Sequence, residues 1–152
     1  MISSAQSVPR VVLDTNVCLD LFLFRDPGCA ALLAALHGGQ VRAVTRADCR
    51  DEWLRVLHYP QLPIDAAMRP GLVAAFDGLI ETLPGAQPTA EELARLPRCG
   101  DPDDQKFLEL ALAAKARWLL SKDNELLKLD RRTDRTGLFR IWLPLAWSAA
   151  TS

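Results

Sequence analysis

Hydrophobic and polar positions along the chain fall into blocks that switch between strand and helix character. The segment V-P-R-V-V-L-D ends in a short β-branched apolar run closing at Asp14, which predicts a buried strand over residues 9–13. Thr15 and Asn16 suit helix entry, and V-C-L-D-L-F-L-F follows before R-D-P-G breaks the pattern, so one short helix is expected there. The Ala/Leu-rich stretch from Gly28 to His37 predicts a second helix, ended by Gly38 and Gly39, and V-R-A-V-T at 41–45 predicts a second strand. Residues 46–58 place Cys49, Trp53, Val56 and Leu57 at helical spacing ahead of Pro60.

Residues 65–80 also read as helical, with a kink or break expected at Pro70-Gly71, and 84–100 is linker-like, with three prolines and two glycines. The clearest helix signal is D-P-D-D-Q-K-F-L-E-L-A-L-A-A-K-A: Asp at the cap, Pro at the first helical position and apolar residues at 107, 108, 111 and 112. R-W-L-L-S at 117–121 predicts a strand, N-E-L-L-K-L a short helix, and L-F-R-I-W at 138–142 a last strand before Pro144. No internal repeat or low-complexity tract stands out. Strands alternating with helices imply an α/β fold, with a mainly parallel central sheet flanked by helices on both faces. Functional groups in such sheets collect at the carboxyl ends of the strands, which singles out Asp14 and Asp123.

Composition narrows the class. A chain of 152 residues has the length of one domain, and 49% hydrophobic with 24% charged residues is the make-up of a packed globular protein. The longest uninterrupted apolar run, Cys29 to Leu36, is too short to span a bilayer, and M-I-S-S-A-Q-S lacks the layout of a signal peptide, so no membrane association and a cytoplasmic location are expected. Cys18, Cys29, Cys49 and Cys99 form no C-x-x-C pair and have only His37 and His58 as imidazole partners, which argues against zinc and for four buried or half-buried thiols in a reducing compartment. Both histidines read as surface or helix-end residues. A net charge of -1 argues against a broad basic surface gripping polyanions by charge alone.

The candidate chemistry is acidic. Asp14, Glu52, Asp104 and Asp123 converge on one cleft if the helices carrying Glu52 and Asp104 cover the same sheet edge. Such a cluster either takes up protons or binds a cation, and oxygen-only ligands suit Mg²⁺ or Mn²⁺, the ions that assist phosphoryl chemistry. Each acid also has a plainer reading. Asp14 can cap the following helix, Glu52 can pair with Arg55, Asp101, Asp103 and Asp104 suit a helix N-terminus, and Asp123 can cap N-E-L-L. Asp101 is assigned to capping. Spacing alone does not choose between these readings. No Walker-type or G-x-G-x-x-G loop is present, position 16 is Asn where an aspartyl-phosphate enzyme would carry a second acid, and neither histidine frames a nucleophile.

V-V-L-D-T-N-V before a helix, E-W-L-R-V-L in a later one, D-P-D-D-Q-K-F-L-E-L-A-L-A-A-K-A-R-W-L-L-S-K-D-N-E-L-L and the closing R-I-W-L-P-L-A-W together resemble PIN domains. Within these they resemble the toxins of prokaryotic toxin–antitoxin systems related to VapC. The resemblance runs over residues 8–147, leaving 1–7 and 148–152 as short tails. It implies a PIN-like fold and a Mg²⁺- or Mn²⁺-dependent ribonuclease whose catalytic and metal-binding acids fall on Asp14, Glu52, Asp104 and Asp123. Asn16 and Ser121 match supporting positions, and the resemblance favours Asp104 over Asp103 as ligand, leaving Asp103 a supporting place. Lys122 stands where many relatives carry Gly, and is either a candidate phosphate contact or a residue that disfavours the tight turn.

The resemblance further implies an RNA substrate, a small antitoxin partner and a homodimer. Residues 115–140 hold eight Lys and Arg against four Asp and Glu, which makes Arg131, Arg132 and Arg135 candidate RNA contacts, with a merely solvated face as the alternative. The rival functions are a non-catalytic RNA- or protein-binding module whose acids serve as caps, and a nuclease acting on DNA or in RNA maturation.

Overall fold

A computed structural model describes residues 8–151; the expected N-terminal tail, 1–7, lies outside the described residues. The elements follow in the order β1 (Arg10–Leu13), α1 (Thr15–Phe22), α2 (Ala30–His37), β2 (Arg42–Thr45), α3 (Ala47–Val56), α4 (Arg69–Leu79), β3 (Ile80–Thr82), α5 (Ala90–Arg95), α6 (Gln105–Ala113), β4 (Trp118–Leu120), α7 (Asn124–Leu127), α8 (Asp130–Arg135), β5 (Arg140–Trp142) and α9 (Pro144–Thr151). Single 3₁₀ turns at Pro27–Cys29 and Pro102–Asp104 lead into α2 and α6. The strands form one sheet in the order β3-β2-β1-β4-β5. All four pairings are parallel, with Val11 opposite both Ala43 and Trp118.

Strand residues alternate between two cores. Val11, Leu13, Ala43, Trp118 and Leu120 pack on one face with α1, α2, α4 and Trp147 of α9. Val12, Val44, Leu119 and Ile141 pack on the other with α6, Leu126 and Leu129. The period of two along each strand therefore buries both sheet faces, as crossover helices require. α3 is anchored by Trp53, which is buried and stacks on Phe76 of α4 with ring centroids 5.4 Å apart.

The structure departs from the pattern-based reading in four places. Pro70 lies in the first turn of α4, where its missing N–H costs nothing, so the helix begins there rather than kinking. The same stretch ends in the edge strand β3. The linker-like segment contains α5, closed by a capping box in which Thr89 and Glu92 satisfy each other's backbone amides. The basic flank contains α8, and residues after Trp147, expected as a tail, continue α9 to Thr151.

Candidate functional site

β1 and β4 are neighbours, so their carboxyl ends bring Asp14 and Ser121 side by side. The Asp14 amide donates to the Leu120 carbonyl at 3.0 Å, extending the ladder by one residue. The fully buried Ser121 hydroxyl donates to Asp14 Oδ2 at 2.7 Å and accepts from the Asp123 amide at 2.9 Å. One hydroxyl thereby fixes two of the acids. Burial pushes the Asp14 carboxyl above the usual range; the Ser121 bond offsets part of this, and the Glu52 charge adds to it. The Thr15 and Asn16 amides favour the ionised Asp14 without closing a capping bond. The Asn16 side chain is exposed.

Asp104 ends the 3₁₀ turn that opens α6 and is 9% exposed, whereas Asp103 beside it is exposed. Asp101, Asp104 and Asp123 each offer a carboxylate oxygen, and these oxygens lie within 4.8 Å of one another. The crowding raises the Asp104 pKa to about 8: burial contributes most, then a hydrogen bond with Asp123, then the charges of Asp14, Asp101 and Asp123. Asp101 and Asp123 do cap, accepting from the Asp103 amide at 3.0 Å and the Glu125 amide at 2.8 Å, and they belong to the cluster as well. Capping therefore does not remove either residue from the acidic cluster.

Glu52 stands apart from this trio. Its Oε2 accepts from the Thr15 hydroxyl and its Oε1 from Lys106 Nζ at 2.7 Å. Lys106 Nζ also donates to the Asp103 carbonyl and lies 5.1 Å from the centre of the Phe107 ring. Lys122 pairs with the buried Asp20 at 2.6 Å. Arg131, Arg132 and Arg135 are exposed along α8. An apolar hollow of about 530 Å³ between α1, α2 and α4 contains none of the clustered acids.

The family model for the PIN domain matches residues 10–125. The chain belongs to the PIN-domain family. The match takes in Asp14, Glu52, Asp101, Asp104 and Asp123, and PIN domains are generally nucleases. VapBC2 from Rickettsia felis, solved bound to a DNA fragment from its promoter, shares this PIN fold with a TM-score of 0.56 at 13% identity, over 87% of this chain and 96% of that one. No curated protein matches the chain. Among the described residues of this PIN domain, no helix is long and apolar enough to cross a membrane.

Three site residues of this PIN domain escape sequence reasoning. A cap accounts for Asp101 completely, Thr15 reads only as helix entry, and nothing local singles out Lys106. The D-P-D-D-Q-K run carries two of them, but the partner of Lys106 lies 54 positions away, and no local spacing announces it. The four cysteines are buried and free, and both histidines are exposed, as their surroundings in the sequence imply.

Proposed function

We propose that this PIN domain is a ribonuclease that hydrolyses RNA phosphodiester bonds with Mg²⁺ or Mn²⁺, and that it acts as the toxin of a type II toxin–antitoxin pair. The observation that carries the reading is the meeting of Asp101, Asp104 and Asp123 beside the Ser121-linked Asp14. An all-oxygen donor set fits a hard divalent ion, and a buried carboxyl raised to about 8 marks charge that such an ion relieves. Asp101, Asp104 and Asp123 would hold the ion, with Asp14 beside them. Bound there, it would polarise a phosphate oxygen and make water a stronger nucleophile at neutral pH.

The chain's own groups supply the rest. Ser121 holds the Asp14 carboxylate in one orientation, and Asp14 accepts the proton of the attacking water as its oxygen bonds to phosphorus; the P–O bond to the leaving ribose oxygen breaks, and that oxygen takes a proton from solvent water. Arg131, Arg132 and Arg135 meet the phosphate backbone, while Lys122 reaches RNA only by releasing Asp20. The fold shared with VapBC2 supports a small antitoxin partner, and homodimerisation goes with the same reading. The test is cleavage of labelled RNA by purified protein with Mg²⁺ or Mn²⁺. Asp14→Asn abolishes cleavage while leaving the melting temperature within a few degrees of wild type. Full activity in that variant, or activity that survives chelation, overturns the reading.

A further inference from the structure

Glu52 holds the position of a ligand in the resemblance, yet both of its oxygens are committed to groups of the chain itself. The Thr15 hydroxyl takes Oε2, and Lys106 Nζ takes Oε1 at 2.7 Å. This pair is not a surface contact, since the Lys106 and Glu52 side chains are only 15% and 17% exposed. The ammonium has partners of its own, donating to the Glu52 carboxylate and the Asp103 carbonyl and lying near the Phe107 ring. Lys106 lies in the first turn of α6, two positions after Asp104, and is near enough for the Asp104 charge to favour its ammonium form.

We infer that Lys106 is a positioning residue whose ammonium fills the Glu52 side of the acidic cleft, so that the site takes one divalent ion, at Asp101, Asp104 and Asp123, and not two. The inference rests on the metal-dependent reading of the site. A second ion at Glu52 would have to displace an ammonium already desolvated and paired, and it would meet a positive charge within a few ångströms. Without that charge, Glu52 keeps the Thr15 hydroxyl but is an unneutralised carboxylate near a cluster rich in negative charge, which is where a second cation belongs.

Calorimetric titration of the full chain with Mn²⁺ reads the outcome as stoichiometry. Wild type takes up one ion per chain, Lys106→Met takes up two, and Lys106→Arg, which keeps the charge, returns to one. Lys106→Gln, which retains a donor for Glu52 but no charge, also takes up two and serves if the Met variant does not fold. Two ions in wild type, or one in both neutral variants, overturn the inference. RNA cleavage measured on the same samples separates the two claims. One ion bound without cleavage defeats the ribonuclease reading and leaves the Lys106 assignment standing, whereas no ion bound by wild type defeats both.

Discussion

Asp104 is the residue in which burial and charge crowding meet most strongly. Its ordinary carboxyl value is 3.8, and in the folded, ion-free protein the proton stays on to about pH 8. The folded state thus binds this proton more tightly than the unfolded chain. The resulting stability is fully present below pH 4 and is lost as pH rises through 8. The raised Asp14 adds in the same direction. The thermal midpoint of the ion-free protein is therefore expected to fall between pH 5 and 8, with Mn²⁺ reversing most of that fall. A midpoint of the ion-free protein that rises over this range contradicts the assignment. At this scale the sequence marks Asp14 and Asp123 well, because each follows an apolar run that must be a buried strand. Asp101 and Lys106 are less legible, since one has a complete local explanation as a cap and the other pairs with a residue on a different helix.

At the scale of elements, the helices that aim the acids are tied together by a buried arginine. Arg46, at the end of β2, donates to both oxygens of Asp48 at 2.8 and 2.9 Å, to Glu109 at 2.8 Å and to the Ala86 carbonyl at 3.0 Å. It links α3, α6 and the segment before α5, and only 5% of it is exposed. Arg46→Met keeps the stem but strands these acceptors. It is expected to cost about 1.5–3 kcal/mol, the worth of hydrogen bonds to a charged group, measured by chemical denaturation. A decrease under about 0.5 kcal/mol would show that the network is dispensable. β1, β2, β4 and β5 can be read from their β-branched and aromatic runs. β3 cannot, because it follows α4 without a turn residue between them. The composition around α5 and α8 hides them: prolines mask the T-x-x-E capping box, and charge masks the short helix after α7.

For the whole molecule, a net charge of -1 is a sum of unlike regions. Acids gather where β1 and β4 end, and α8 presents Arg131, Arg132 and Arg135 to solvent. Under the ribonuclease reading, the double substitution Arg131→Gln with Arg132→Gln weakens RNA binding several-fold at low salt. It also flattens the salt dependence by about 0.7 in log–log slope for each phosphate of single-stranded RNA that the variant no longer neutralises. An unchanged slope would assign α8 to a solvated face. The parallel order β3-β2-β1-β4-β5 makes the rest possible, since β1 and β4 must adjoin for Ser121 to reach Asp14. The central claim is that this acidic cleft is a divalent-ion site for RNA hydrolysis. Its most direct test is the rate of RNA cleavage as Mn²⁺ is titrated into chelated protein. The rate should start at zero and saturate with ion; cleavage that is already complete in the chelator, or absent at every Mn²⁺ concentration, would contradict it.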